Sequence, residues 1–193
     1  MRLCREAVQH GFASACVPPC YVALAATLLR NKGVQVCTVA GFPHGNSHSD
    51  VKVVEVARAV RDGATEVDMV LNVGMLKSGR LDAVESDIRA AVKAARQSVV
   101  IKVILECALL TDEEKSVACL LAKNAGAGFV KTSTGFAKGG ATLADVALMR
   151  SVVGEWLGVK AAGGVRTKAQ AMSLIAQGAT RIGTSASVAI VAE

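Results

Sequence analysis

Aromatic residues are scarce in this chain of 193 residues: Phe, Trp and Tyr make up 3% of it, whereas hydrophobic residues as a whole make up 52%. The core must therefore consist of Ala, Val, Leu and Ile, which is typical of α/β proteins whose helices cover a parallel sheet. The scarcity also argues against nucleic-acid binding, because few rings are present to stack on bases and the basic residues are dispersed.

Other features are missing as well. No apolar run approaches membrane-spanning length, and the first residues, Met-Arg-Leu-Cys-Arg-Glu, lack the apolar centre of a signal peptide. The six cysteines form no CxxC pair and no zinc-ligand spacing with the three histidines. We therefore expect a soluble cytoplasmic protein with no metal site and no membrane partner. Most of its cysteines are expected to pack as small apolar thiols.

The charge leaves two interpretations open. The chain carries 22 Lys and Arg against 16 Asp and Glu, a formal net charge of +6. This excess is consistent with an ordinary solvated surface or with a preference for anionic, phosphorylated ligands. The length predicts a single domain over residues 1–193, and no linker or low-complexity stretch divides it. The sequence leaves open whether the chain forms a homo-oligomer.

Short apolar segments alternate with amphipathic ones along the whole chain. The pattern predicts strands at 12–17, 34–40, 66–72, 99–106, 129–133, 159–162 and 181–184. It predicts helices at 2–10, 20–32, 49–62, 81–97, 111–124, 142–154, 167–177 and 185–191. Capping-box patterns begin at Thr111, Thr142 and Thr167.

Glycine marks most of the helix-to-strand turns. The glycines that we expect to end helices are Gly11, Gly33, Gly63, Gly126, Gly158 and Gly178. The strand at 99–106 is instead introduced by Arg96-Gln97-Ser98.

The order of elements predicts an α/β barrel. A (β/α)8 TIM barrel has eight strands, and here seven are predicted, beginning after a helix. An open doubly wound sheet is the structural rival, but no GxGxxG follows a first strand. The glycine-rich loops follow the last two strands, where barrels commonly bind phosphate. We therefore predict a TIM barrel lacking its first strand.

Two lysines lie in strands that should be buried. Lys131 is in Gly-Phe-Val-Lys-Thr-Ser-Thr-Gly (128–135), and Lys160 is in Gly-Val-Lys-Ala-Ala-Gly-Gly (158–164). Strand alternation lets both lysines and Asp68 point into the barrel. Two ammonium groups about 5 Å apart at an effective dielectric near 20 repel by roughly 3 kcal/mol, or roughly 2.5 pKa units, enough to make one amine nucleophilic near neutral pH. A structural Asp–Lys ion pair with one snorkelling lysine stays open as the alternative.

Supporting and phosphate-binding residues follow from the same topology. Lys102 and Glu106 share one face of their strand and could pair at the barrel floor. Gly163, Gly164 and Arg166 precede one helix, and Gly183 and Ser185 precede another, so the exposed amides at two helix N-termini form a candidate phosphate site. We interpret His44, an isolated loop histidine, as non-catalytic.

In several segments the sequence strongly resembles the deoxyribose-phosphate aldolase family. The segments are Cys-Thr-Val-Ala-Gly-Phe-Pro-His-Gly (37–45), Glu-Val-Asp-Met-Val-Leu-Asn-Val-Gly (66–74), Lys-Val-Ile-Leu-Glu (102–106), Phe-Val-Lys-Thr-Ser-Thr-Gly-Phe (129–136), Val-Lys-Ala-Ala-Gly-Gly-Val-Arg-Thr (159–167) and Arg-Ile-Gly-Thr-Ser (181–185). They occur in the family's order and span essentially the whole chain.

The resemblance implies a cofactor-free, metal-free class I aldolase that interconverts 2-deoxy-D-ribose 5-phosphate with glyceraldehyde 3-phosphate and acetaldehyde in deoxyribonucleotide breakdown. By family pattern, Lys131 is the Schiff-base nucleophile, and Lys160 lowers its pKa and joins Asp68 in proton transfer. The phosphate-site residues are Gly163, Gly164, Arg166, Gly183 and Ser185.

The chain departs from the family pattern in three places. Nothing corresponds to the family's first strand with its Asp-His-Thr-Leu-Leu-type motif, Cys-Val-Pro-Pro (16–19) replaces Cys-Val-Asn-Pro, and Ala186 replaces a second serine. Two functional alternatives therefore stay open. One is a catalytically impaired aldolase homologue that binds sugar phosphate, and the other is a lysine aldolase or transaldolase for a different phosphorylated sugar.

Overall fold

The computed structural model describes residues 1–95 and 99–192. Within this part of the chain, seven parallel strands form one sheet in chain order. The strands are β1 (Ser14–Cys16), β2 (Gln35–Ala40), β3 (Glu66–Val70), β4 (Val100–Ile104), β5 (Phe129–Lys131), β6 (Gly158–Ala162) and β7 (Arg181–Gly183). The seven predicted strands are confirmed.

In the described residues, one helix precedes β1, one follows β7 and the others connect successive strands. The helices are α1 (Arg2–Gln9), α2 (Val22–Leu29), α3 (Ser49–Arg61), α4 (Val73–Lys77), α5 (Leu81–Ala95), α6 (Asp112–Asn124), α7 (Leu143–Val153), α8 (Lys168–Ala176) and α9 (Ser187–Ala192). When every parallel strand pairs with the next one along the chain, right-handed crossovers place all the connecting helices on the same face of the sheet. The sheet then curls with its other face inside, which is the barrel arrangement rather than the doubly wound one.

The barrel is open on one side. Among the described residues, β1 pairs only with β2 and β7 only with β6, so each has an unpaired edge. The Arg181 side chain reaches across the opening, where its Nη1 donates to the Ser14 hydroxyl at 3.3 Å. The structure thus confirms the predicted barrel without its first strand.

The helix starts follow the sequence closely. Thr111 and Glu114 form a reciprocal capping box, as do Thr167 and Gln170. The Thr142 hydroxyl accepts a hydrogen bond from the amide of Asp145. Each cap satisfies amides that the first helical turn leaves without a backbone partner, which fixes where the connection from the preceding strand ends.

The predicted glycine turns are confirmed, with one exception. Positive φ angles occur at Gly11, Gly33, Gly63, Gly126 and Gly178. The prediction is wrong for Gly158, because this glycine is the first residue of β6. The residue with a positive φ at the end of the preceding helix is Gly154, with φ 68°. Gly158 is needed for space instead, since a Cβ there would overlap the ring of Phe129 on β5.

Other boundaries differ from the prediction. The helix expected at 20–32 begins as a 3-10 turn at Pro19–Tyr21 and ends at Leu29. The strand expected to run to residue 72 stops at Val70, and the unpredicted helix α4 follows, capped by the side chain of Asn72. Residues 96 and 97 of the predicted helix 81–97, and the segment 96–98 proposed to introduce β4, lie outside the described residues.

A buried ion pair joins two of the outer helices. Lys52 of α3 is fully buried, and its Nζ lies 2.6 Å from Asp87 Oδ2 on α5 and 3.0 Å from the Val70 carbonyl at the end of β3. This lysine therefore ties the helical layer to the end of β3. No helix in the described part of the chain is both long and apolar enough to cross a membrane.

Candidate active site

Asp68 is the centre of the site. It lies on β3, its side chain is fully buried, and three lysines from three other strands contact its carboxylate. Lys131 Nζ lies 2.8 Å from Oδ2, Lys160 Nζ 2.6 Å from the same oxygen, and Lys102 Nζ 2.9 Å from Oδ1. The structure thus brings together the three residues predicted to carry the chemistry.

Strand register explains the convergence. Asp68 is opposite Lys102 on β4, and Lys131 on β5 is opposite Lys160 on β6. Residues that are opposite each other in a parallel pair point to the same face, here the inside of the curled sheet. Because the inner face is concave, Asp68 also reaches the lysines on β5 and β6, which are not its register partners.

The charges fix the protonation of two members of the cluster. Burial alone would raise the pKa of Asp68, but Lys131, Lys160 and Lys102 together hold it well below its usual range. Burial alone would lower the pKa of Lys102, but Asp68, Cys37 and Glu66 hold it well above its usual range. Asp68 is therefore a carboxylate and Lys102 an ammonium near neutral pH, so Lys102 is unsuited to act as a nucleophile.

Lys131 and Lys160 share one carboxylate oxygen. Both donate to the same oxygen of Asp68, so their nitrogens lie within two hydrogen-bond lengths of each other. Each side chain is 7% exposed, which leaves a small part of each open to solvent. Two amines on one carboxylate oxygen can exchange a proton over a short distance, as amine chemistry requires.

A second buried carboxylate, that of Glu66, contacts the cluster through Lys102. Glu66 Oε2 lies 2.8 Å from Lys102 Nζ, and Glu66 Oε1 lies 3.2 Å from Arg181 Nη1. Burial would raise the pKa of Glu66, but Lys102 and Arg181 lower it overall. The Arg181 guanidinium also lies over the ring of Phe129, 5.7 Å from its centroid. Sequence reasoning missed Glu66 and Arg181, although both alternate inward on their strands.

The suggested pairing of Lys102 with Glu106 is wrong. Lys102 contacts Asp68 and Glu66, whereas the Glu106 carboxylate accepts hydrogen bonds from the hydroxyl and the amide of Thr134. Glu106 lies just after the end of β4. It adopts a left-handed φ of 57°, which redirects its side chain away from the barrel floor. It therefore holds the loop that follows Lys131.

The glycine-rich loops lie at the same end of the barrel as the lysines. Gly163 and Gly164 adopt left-handed φ angles of 93° and 77°. The Thr184 hydroxyl donates to the Val165 carbonyl at 2.6 Å, which fastens the loop after β7 to the loop after β6. The amide of Arg166 donates to the Gln170 side chain at 2.8 Å, so this amide already has a partner within the α8 cap.

The predicted phosphate residues do not all border one cavity. Lys160, Gly183 and Ser185 line a cleft of about 700 Å³ that extends along the opening between β1 and β7. Gly164 borders a separate hollow of about 330 Å³ between α7 and α8. The Arg166 side chain is exposed at the start of α8. His44 borders a hollow of about 110 Å³ with Glu106, Thr134 and Phe136.

Two cysteines beside the cluster were also missed. Cys37 on β2 is buried, and its Sγ lies 3.3 Å from Asp68 Oδ1. Its register partner Cys16 on β1 is exposed and lines the cleft. Four of the six cysteines are buried, as expected for most of them, whereas Cys16 and Cys20 are exposed. The register of the two cysteines was available only from the paired strands.

The family model for the DeoC/LacD family aldolases matches residues 1–190. This chain belongs to that family. A deoxyribose-phosphate aldolase of Rhodospirillum rubrum is 61% identical over 188 residues, which cover 97% of this chain and 79% of that protein. A deoxyribose-phosphate aldolase of a Thermoanaerobacter species is 57% identical over 194 residues, which cover 100% of this chain and 87% of the relative.

Solved structures of family members have the same fold. The tetrameric deoxyribose phosphate aldolase of Aeropyrum pernix matches with a TM-score of 0.92 and 36% identity, covering 99% of this chain and 81% of that one. An aldolase named QR15 matches with a TM-score of 0.94 and 41% identity, covering 99% of this chain and 85% of that one. The strands of this family member thus follow an established aldolase architecture.

Proposed function

We propose that this family member is a deoxyribose-phosphate aldolase that cleaves 2-deoxy-D-ribose 5-phosphate to glyceraldehyde 3-phosphate and acetaldehyde. One observation carries the proposal: inside the barrel, a single oxygen of Asp68, Oδ2, accepts hydrogen bonds from Lys131 Nζ at 2.8 Å and from Lys160 Nζ at 2.6 Å. Relatives named for this activity at 55–61% identity over nearly the whole chain favour it over the two alternatives raised by the sequence.

In the proposed reaction, the neutral amine of Lys131 attacks the aldehyde carbon of the open-chain sugar. Loss of water from the carbinolamine gives a protonated imine, which is an electron sink. A base removes the proton of the C3 hydroxyl, the C2–C3 bond breaks, and glyceraldehyde 3-phosphate leaves. Protonation of the remaining enamine and addition of water then release acetaldehyde and free Lys131.

Asp68 and Lys160 move protons in this scheme. Lys160 shares the Asp68 oxygen with Lys131, so a proton can pass between the two amines through the carboxylate. Lys102 keeps its proton and holds Asp68 in place from the other oxygen.

We assign the phosphate to the loops after β6 and β7, through Gly163, Gly164, Arg166, Gly183 and Ser185. We place the reaction in the cytoplasm, in deoxyribonucleotide breakdown.

The direct test is to incubate the purified chain with 2-deoxy-D-ribose 5-phosphate and to measure both aldehyde products. Formation of acetaldehyde and glyceraldehyde 3-phosphate in equal amounts is expected. Binding of the sugar phosphate without turnover would contradict the proposal. Trapping with acetaldehyde and borohydride separates this activity from a lysine aldolase for another sugar, because only an enzyme with acetaldehyde as donor is labelled.

Replacing Lys160 should affect catalysis more than folding. Lys160→Met removes one of the two amines on Asp68 Oδ2, so Lys131 is left as the only lysine that contacts this oxygen, while Lys102 keeps Oδ1. We expect kcat near neutral pH to fall by roughly 10²–10⁴-fold, the usual contribution of general acid–base catalysis. A pH–rate profile and circular dichroism separate a loss of catalysis from a loss of folding. Lys123→Met, on the exposed surface of α6, is the matched control, and equal activity of both variants near neutral pH would refute the role of Lys160.

The phosphate site should be separable from the amine chemistry. Arg166→Ala should raise KM for the phosphorylated sugar by about 10–100-fold, because a hydrogen bond to a charged group is worth about 1.5–3 kcal/mol. Slow cleavage of unphosphorylated 2-deoxyribose should be nearly unchanged. Arg30→Ala, which removes another exposed arginine, serves as the control. If Arg166→Ala reduced cleavage of both sugars equally, the side chain would support the loop instead of binding phosphate.

A further inference from the structure

Cys16 and Cys37 are neighbours across two paired strands. They are register partners on β1 and β2, and they point to the same inner face. Their sulfur atoms and a carboxylate oxygen of Asp68 all lie within 4.8 Å of one another. Paired strands lie about 4.8 Å apart, within the roughly 4.4–6.8 Å separation of Cα atoms that a disulfide spans. The backbone therefore already holds the two cysteines at bridging distance.

The two thiols differ in access and in protonation. A hydrogen bond from Cys37 lowers the pKa of Cys16 to about 7, with help from Lys160 and Lys131 and against burial and Asp68. The same hydrogen bond, together with burial and Asp68, raises the pKa of Cys37 well above its ordinary value. Cys16 also lines the open cleft. One partner is thus a reachable thiolate near neutral pH, and the other stays a thiol.

Charged and titratable groups from several elements act on Cys16 or share its cleft. From α1, β2, β3, β5, β6 and β7, these groups are Arg2, Glu6, Cys37, Asp68, Lys131, Lys160 and Arg181. Cations outnumber carboxylates among them, which favours a thiolate. The surrounding positive charge also opposes binding of a divalent metal to Cys16, Cys37 and Asp68, because three lysine nitrogens already contact the oxygens of Asp68.

We propose that Cys16 and Cys37 are an oxidation site at which a hydroperoxide forms a disulfide, and that this disulfide turns off the aldolase. The Cys16 thiolate attacks one peroxide oxygen, the O–O bond breaks, and the other oxygen leaves as water or an alcohol after taking up a proton. The sulfur of Cys37 then attacks the Cys16 sulfenic acid, the S–O bond breaks, and the Cys37 proton leaves with the oxygen as water. Two thiols are oxidised and one peroxide is reduced.

The effect on activity follows from the contact with Asp68. In the reduced chain the Cys37 sulfur lies 3.3 Å from Asp68 Oδ1 and 3.6 Å from Lys102 Nζ. A disulfide removes the thiol proton and draws this sulfur towards β1, so the carboxylate that serves both reactive lysines loses a partner. We expect kcat to fall about tenfold or more, since small displacements in such a site are costly. This second part rests on the proposed function.

The experiment treats the reduced chain with hydrogen peroxide, blocks remaining thiols by alkylation and maps peptides without reduction. A Cys16–Cys37 cross-link is expected, while the buried Cys4, Cys107 and Cys119 stay reduced. The oxidation rate should rise with pH through about 7 and then level off, because the thiolate is the reactive form. Cys20→Ser, which removes another exposed cysteine, should cross-link like the unaltered chain. Cys37→Ser should carry oxidised Cys16 with no bridge.

The readouts separate the two proposals. Peptide mapping needs no catalysis, so it tests the oxidation site even if the chain cleaves no sugar. A Cys16 that stays reduced, or that bridges to Cys20, would overturn the site. For the switch, each variant is compared with its own reduced form. The switch is supported if peroxide lowers the activity of the unaltered chain but not that of Cys16→Ser, and if a dithiol reductant restores the activity. Full activity of the cross-linked chain would overturn the switch.

Discussion

Lys131→Met is expected to lower kcat for cleavage of 2-deoxy-D-ribose 5-phosphate by roughly 10⁴-fold or more, because it removes the amine that we propose as the nucleophile of the covalent intermediate. The fold should persist. Methionine matches the length of the lysine stem, and Asp68 keeps Lys102 and Lys160 as partners. Circular dichroism and the thermal midpoint check the fold, and a coupled assay of product formation checks the rate.

Trapping identifies the nucleophile independently of the rate. Incubation of the unaltered chain with acetaldehyde and borohydride should add an ethyl group to the peptide that contains Lys131, and Lys131→Met should show no label. The surface variant Lys123→Met should be labelled like the unaltered chain. Labelling at Lys160 alone would reverse the two roles, since both amines contact the same oxygen of Asp68 and either could reach a bound aldehyde.

The second large effect is expected from closing the barrel. A family-like strand added ahead of α1, able to pair with both β1 and β7, should raise the thermal midpoint by roughly 5–10 °C and increase the rate of cleavage. Burial of one or two apolar side chains is worth about 1.5–3 kcal/mol each, and each kcal/mol shifts the midpoint of a domain of this size by about 2–4 °C. The strand would also pair the exposed edges of β1 and β7.

The rate should increase because the site would lose water. The cleft of about 700 Å³ now opens onto Lys160, and interactions among charges weaken as water enters. An extension of equal length with prolines at the pairing positions is the matched control, because proline cannot donate to a sheet ladder. If the 193-residue chain matches the extended one in midpoint and rate, an open barrel is sufficient and this prediction is wrong. The added strand should also slow the oxidation of Cys16 by covering it.

Local pattern was enough to locate the strands and the face that points into the barrel. Strand alternation has a period of two, so the inward position of Asp68, Lys131 and Lys160 could be predicted from their neighbours in sequence. The capping boxes at Thr111 and Thr167 were readable for the same reason, since each involves residues within one helical turn. The family motifs then assigned roles to these residues.

Partners across strands were not readable in this way. Lys102 and Glu106 share a face in an ideal strand, but β4 ends at Ile104 and the left-handed backbone of Glu106 turns its carboxylate to Thr134. A single residue outside the β region of φ and ψ is enough to break the period of two. Local pattern carries no signal for such a turn at a non-glycine residue.

The sequence by itself determined the order of strands and helices, the apolar core without aromatics and the lysines that lie within buried strands, because each depends on composition and on spacing along the chain. Only the tertiary structure decided which groups meet. Asp68 contacts three lysines because the sheet curls, and Cys16 is open to the cleft because β1 is an edge strand. Curvature and register are properties of the whole sheet, so distances across the barrel follow from all of its strands together and not from any one segment.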